Sequence, residues 1–161
     1  MKTRTRSRHI KVTNSNKFFS LDTAFIESIA ASVLKSLKKE KTSELDIVFM
    51  DNAAIKKLNK RYKDRDAPTD VLSFGMDGRE FMRKKVLGEI FISLDTARSN
   101  SKLFGVKFED EVVRYVVHGI LHLFGYDDGN DRDKMRMWHK QEGMLKDICR
   151  CEDLSKVLTR R

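Results

Sequence analysis

The chain has 161 residues, 33 Lys+Arg against 24 Asp+Glu for a formal charge of +9, and is 40% hydrophobic and 35% charged. That length suits one domain burying roughly two-thirds of its unfolded surface, and the composition excludes a disordered chain. No apolar run approaches the ~20 residues that cross a bilayer, so a helical membrane protein is excluded, and the basic excess favours a polyanionic partner such as nucleic acid.

Residues 1–8 carry Lys2, Arg4, Arg6 and Arg8 and no acid, which fits a basic flexible arm. The stretch is weakly similar to an organelle transit peptide, but no apolar signal core follows, which argues against secretion. His9 to Val12 predicts a short first strand. From 21 to 39, Leu21, Phe25, Ile29, Val33 and Leu37 recur every fourth residue, the stripe of an amphipathic helix. Glu44 to Asp51 (ELDIVFMD) predicts a strand, and Asp51-Asn52 offers a cap for a helix carrying Ile55, Leu58 and Tyr62. The polar loop from Lys63 to Asp70 holds the only proline, Pro68, and leads into a strand over 71–76 (VLSFGM). Gly75, Asp77-Gly78 and the basic cluster Arg79, Arg83, Lys84 and Lys85 predict a long turn before VLGEIFIS, residues 86–93, a strand able to pair antiparallel with 71–76. Helices are predicted from Leu94 to Phe104, stopped by Gly105, from Phe108 to Phe124, stopped by Gly125, and from Asp131 to Ile148.

Cys149 and Cys151 are separated by one residue, too close to staple distant parts, and no second cysteine pair completes a zinc set. They predict inert thiols in a reducing, cytoplasmic compartment. With no internal repeat and no Pro/Gly/Ser linker, one domain is expected over 1–161, with about 149–161 as a C-terminal tail. The class is α+β, with helices around a small mixed sheet.

The chemistry concentrates in HGILHLFGYDD, residues 118–128. On a helix, His118 and His122 stand four residues apart on one face, about 6 Å along the axis, so both imidazoles can reach one ion. Gly125 can end the helix in a left-handed conformation and let the chain fold back with Asp127 or Asp128 as a third ligand. Two neutral imidazoles and a carboxylate suit zinc with a fourth position left for water, the pattern of a catalytic site. The general base of a His-Glu-x-x-His peptidase is missing, because its position is Gly119, where close helix packing is the structural explanation. A second element is the basic loop with Lys60, Arg61, Lys63 and Arg65, feeding a strand through Pro68-Thr69-Asp70 and suited to a phosphodiester backbone.

Asn59-x-x-Tyr62, PTDVLSF at 68–74, Gly88-Glu89-Ile90 and HGILHLFGYDD, in this order over about residues 45–145, resemble the YbeY family of bacterial endoribonucleases of ribosomal-RNA maturation. The resemblance implies a zincin-like α+β fold with a four-stranded mixed sheet and about five helices. It further implies metal-dependent cleavage of single-stranded RNA, at the 3′ end of the small-subunit (16S) ribosomal RNA and in ribosome quality control, with the small ribosomal subunit as partner. Carried over, the resemblance puts a zinc ion on His118 and His122, with Asp128 where the family has a third histidine. An aspartate there lowers the net charge of the site and leaves bound water less acidic. The family arginine thought to act at the substrate phosphate falls on Lys63, which keeps the charge as a point contact without the fork. His118 and Lys63 are thus the catalytic candidates, and Lys60, Arg61, Lys63 and Arg65 the RNA-binding ones. The rival expectations are a metal-dependent peptidase or amidohydrolase and a ribosome-assembly factor with a structural ion. His9 and His139 lie outside the resemblance, and His139, beside Trp138, is expected to be packed or merely exposed.

Overall fold

The computed structural model describes residues 9–37, 43–75, 80–81 and 84–159. The basic arm 1–8 and the turn residues 76–79 and 82–83 lie outside the described residues. In chain order come β1 (Ile10–Asn14), β2 (Ser20–Leu21), α1 (Thr23–Ser36), β3 (Ser43–Met50), α2 (Asn52–Lys63), β4 (Val71–Gly75), β5 (Glu80–Phe81) and β6 (Lys84–Ser93). Then follow α3 (Leu94–Phe104), α4 (Phe108–Leu123), α5 (Asp131–Cys151), a single 3₁₀ turn at Leu154–Lys156, and β7 (Leu158–Thr159).

The main sheet runs β1-β3-β6-β4, with the short β5 pairing the start of β6. β1, β3 and β6 are parallel, and β4 returns antiparallel to β6 with Leu72 opposite Phe91, as expected, but the predicted turn is shorter: Glu80–Phe81 form β5 and Lys84 and Lys85 already belong to β6. The α+β class, the five helices and the four main strands of the mixed sheet are as expected; among the described residues the short β5 adds a fifth strand, and β2 and β7 form a separate pair.

Alternation along the strands feeds two cores. Leu45, Ile47 and Phe49 of β3 and Ile90 and Ile92 of β6 are fully buried with α1 and α4. Met50 of β3 and Leu72 of β4, with Val48, Phe74 and Phe91 beside them, meet Ile55 and Leu58 of α2. So α2 covers the face of the sheet opposite the one α4 covers.

The caps explain where helices start. Asp22 Oδ1 accepts from the Phe25 N–H at 2.9 Å, so α1 begins two residues later than its apolar stripe, and Leu21 instead pairs with Leu158 across β2 and β7. Asp51 Oδ1 caps α2 by accepting from the Ala54 N–H at 2.8 Å, as expected, and Ser93 caps α3. The segment expected as a tail is docked: α5 runs three residues past Ile148 to Cys151, and Leu154 and Val157 are buried in the larger core. Residues 158–159 lie against β2, a two-residue contact too short to leave a periodic signal.

Candidate metal centre

α4 lies with Glu111, Arg114, His118 and His122 along one edge, three or four residues apart, and α5 packs against that edge. Gly119 sits on the sheet side of the same helix. A Cβ there would lie 2.6 Å from Ile90 Cγ2 and 3.2 Å from Val71 Cγ1, so α4 seats on β6 and β4 with no room for a larger residue. The Gly119 carbonyl also accepts from Ser73 Oγ of β4 at 3.0 Å. The peptidase glutamate is therefore excluded by packing as well as by sequence.

At the end of α4, Gly125 adopts φ +88°. Its N–H donates to His122 O, and the Tyr126 N–H donates back to Leu121 O, both at 3.1 Å, a Schellman closure of the helix. The closure turns the Tyr126 carbonyl onto the His122 ring, where it accepts from Nδ1–H at 3.0 Å. It also settles which aspartate returns. Asp128 Oδ2 lies 3.9 Å from His122 Nε2, whereas Asp127 Oδ1 turns away to accept from the Asp128 N–H at 2.7 Å.

His118 Nε2 and His122 Nε2 are 3.0 Å apart, and one ligand atom from each of His118, His122 and Asp128 falls within 4.8 Å of the others. His118 Nδ1 lies 2.7 Å from Gln141 Oε1. Both Nδ1 atoms thus face oxygens that only accept, so both carry the proton and both Nε2 atoms present lone pairs to each other. Two lone pairs at 3.0 Å repel unless a cation lies between them. Imidazoles oriented by acceptors on their far nitrogens are the arrangement metal-ligating histidines use. The donor set fits a divalent ion bound by two nitrogens and an oxygen, with Asp128, the most exposed of the three, closing the set. Burial, and then the neighbouring His118, lower the His122 pKa, which keeps the ring neutral and able to ligate near pH 7.

Sequence reading missed the support behind His118. Gln141 is buried on α5, and its Nε2 donates to Glu142 Oε1 at 3.3 Å. Arg114 of α4 donates from Nε to the same oxygen at 2.9 Å, and from Nη1 to Glu111 Oε2 at 2.9 Å. Burial raises the Glu111 pKa against the pull of Arg114. For Arg114, burial works against the charge, but Glu142 and Glu111 more than offset it and raise the pKa. The available signal was a polar residue in an apolar stripe: Met137, Gln141, Leu145 and Ile148 form the buried face of α5.

The basic candidates stand elsewhere. Lys60, Arg61 and Lys63 close α2, and Asp64 (φ 54°) turns the chain into the loop carrying Arg65. Asn59 is buried and pins that loop through Nδ2 to Ala67 O at 2.9 Å. Lys63 Nζ lies 5.8 Å from the Phe74 ring centre, and half-exposed Tyr62 packs on Phe74 at 5.3 Å. Phe74 belongs to the α2 face of the sheet and Ser73 to the α4 face, so edge strand β4 separates Lys63 from the triad. His118, His122 and Asp128 are brought together; Lys60, Arg61, Lys63 and Arg65 form a second group across that edge. His9 and His139 are exposed, the latter 5.2 Å from the Trp138 ring. Among the described residues no helix is long and apolar enough to cross a membrane.

The family model for endoribonuclease YbeY matches residues 11–149. The chain belongs to the YbeY endoribonuclease family. Its relatives include the YbeY endoribonuclease of Staphylococcus epidermidis, 35% identical over 138 residues that cover 80% of this chain and 89% of that one. The YbeY endoribonuclease of Sulfurihydrogenibium is 33% identical over 153 residues, covering 94% and 99%, and that of Treponema denticola 38% identical over 130, covering 78% and 83%. Among solved structures, the solution structure of TM1509 from Thermotoga maritima superposes with a TM-score of 0.58 at 27% identity, covering 86% of this chain and 88% of that one. As a YbeY family member the chain is a hydrolase acting as an endoribonuclease.

Proposed function

We propose that this YbeY family protein cleaves single-stranded RNA in a metal-dependent reaction, with zinc held by His118, His122 and Asp128. Its task is ribosomal-RNA maturation in the cytoplasm, at the 3′ end of the small-subunit RNA, and ribosome quality control with the small subunit as partner. One observation carries the metal part of this reading: two imidazole Nε2 atoms meet at 3.0 Å with a carboxylate beside them. A divalent ion bound there supplies a Lewis acid for a phosphoryl oxygen and an acidified water.

The protein's own groups do the remaining work. Lys63, with Lys60, Arg61 and Arg65, neutralises and positions the phosphodiester backbone, and the Arg61 guanidinium is itself braced 5.3 Å over the half-exposed Tyr62 ring. Since β4 lies between this cluster and the triad, the substrate strand bends over the sheet edge. A flexible single strand does this more readily than a duplex. His118 acts on the reacting phosphate through the ion that its Nε2 would hold, and Asp128 contributes the one negative charge of the set, leaving the site with net positive charge for an anionic substrate.

The test offers single-stranded RNA, duplex RNA and casein to protein stripped of metal and then given zinc. Cleavage of the single strand alone, dependent on the added ion and lost in His122→Ala, is expected. Proteolysis that vanishes in His122→Ala would overturn the reading. So would RNA cleavage unchanged by chelation. If no cleavage occurs and His118→Ala collapses the melting temperature of the zinc-loaded protein, the ion is structural and the assembly-factor reading holds.

A further inference from the structure

A glutamine amide has a donating end and an accepting end, and the end that meets an imidazole decides which ring nitrogen carries the proton. Gln141 is 7% exposed, and His118 Nδ1 faces its oxygen. Nothing in the amide itself chooses that orientation. The choice comes from its other end, where Nε2 meets Glu142 Oε1. A carboxylate only accepts, so it takes the NH₂ and leaves the oxygen for His118. Glu142 is in turn held on both oxygens by Arg114, from Nε at 2.9 Å and from Nη2 at 3.4 Å, and Arg114 is fixed from below by buried Glu111.

We propose that the Arg114–Glu142 pair selects the tautomer of His118: by fixing the amide of Gln141 it keeps the His118 proton on Nδ1 and Nε2 free to bind a metal. Neither Arg114 nor Glu142 belongs to the ligand set; both act as positioning residues through Gln141. With the amide reversed, the NH₂ would meet Nδ1, the proton would move to Nε2, and a protonated Nε2 cannot ligate. The inference takes His118 as a metal ligand from the proposed function, but the tautomer is a property of the metal-free protein and can be read without the ion.

The experiment has two readouts. Imidazole ¹⁵N chemical shifts of the metal-free protein report the tautomer of His118, and competition titration with zinc and with cobalt reports affinity. The wild-type protein is expected to show Nδ1–H at His118. In Glu142→Gln the neighbouring group can donate as well as accept, so the selection is lost; His118 becomes a mixture of tautomers and metal affinity falls about 10-fold, within the range for loss of an outer partner. Arg114→Gln is expected to shift both readouts the same way. Adding Gln141→Glu to Glu142→Gln is expected to restore both, because a carboxylate has no donating end to turn inward.

A pure Nδ1–H His118 with unchanged affinity in Glu142→Gln overturns the proposal. So does a double variant that stays as weak as the single one, since the loss then comes from general loosening of α4 against α5. If the tautomer shifts and recovers as described while wild-type protein binds neither zinc nor cobalt, the selector stands and the metal reading fails.

Discussion

The triad on α4 and the basic group at the end of α2 are both polar and both partly open to solvent, yet they are built in opposite ways. At the triad each Nδ1 has its own acceptor, and the residues behind it, Gln141 and Glu111, are buried. At the basic group the ion pairs are long and exposed: Lys56 and Lys60 each stand 3.9 Å from Asp66, whose side chain is 63% exposed. Such pairs contribute about 0–1 kcal/mol and leave the lysines free to move. An ion needs ligands held to fractions of an ångström, while a phosphate backbone needs only positive charge of the right density. The first site therefore concentrates its function in single atoms, and the second spreads it over several side chains.

The largest effect is expected from His122→Ala. Losing an outer partner already costs a metal site about 10–100-fold, so losing a ligand should lower zinc affinity by more than about 100-fold and abolish cleavage. The metal-free protein should lose only about 0.5–1.5 kcal/mol for the missing hydrogen bond to the Tyr126 carbonyl, offset in part by the removal of one of two facing lone pairs. Isothermal competition titration and a melting curve check the two halves. A large fall in metal-free stability would mean that His122 is primarily a packing residue.

Gly119→Ala probes the packing beneath the same site. Alanine favours a helix over glycine by about 1 kcal/mol. The added methyl would meet fully buried, β-branched Ile90 at 2.6 Å, and overpacking of this kind costs about 1–3 kcal/mol. A net loss of stability is expected, seen as a melting temperature lower by a few degrees. A higher melting temperature would show that α4 has slack against the sheet.

A smaller effect concerns pH. The His122 pKa is lowered in the folded protein, first by burial and then by His118. Above the ordinary histidine value of about 6.5 the ring is neutral folded or unfolded, and this group's contribution is intact. As pH falls below that value the unfolded chain takes up a proton that the folded protein accepts less readily, so stability drops until the folded pKa is passed. Metal-free protein should lose melting temperature between pH 7 and 5 more steeply than His122→Gln does. Equal slopes would contradict the direction of the shift.

How much of this was readable beforehand follows the same divide. His118 and His122 on one helix face and the turn at Gly125 were legible because spacing and a single φ angle suffice to specify them. Between Asp127 and Asp128 spacing alone could not choose, since the choice depends on how tightly the Schellman turn closes; only the family resemblance pointed to Asp128. Gln141 was invisible as a partner because its role needs the contact between α4 and α5, which no local pattern encodes. The side of the sheet taken by α2 was equally hidden, and with it the separation of Lys63 from the triad by β4. Pairing of β2 with β7 left no trace because two residues cannot show a period.

The basic group should respond to substitution gently and additively, and Lys63 is where this can be measured most sharply. Each phosphate contact on a single strand contributes about 0.7 to the slope of log affinity against log salt. Lys63→Gln should therefore lower that slope by about 0.7 and weaken RNA binding severalfold at low salt, with little change in zinc affinity, because β4 separates its ammonium from the triad. Lys63→Arg keeps the charge and adds the planar fork, so the salt slope should stay the same while affinity at fixed salt rises modestly. If Lys63→Gln instead leaves the slope untouched and lowers only the cleavage rate of bound RNA, then Lys63 meets the phosphate only as it reacts. The strand path over β4 would in that case have to bring the scissile bond to Lys63 as well as to the histidines.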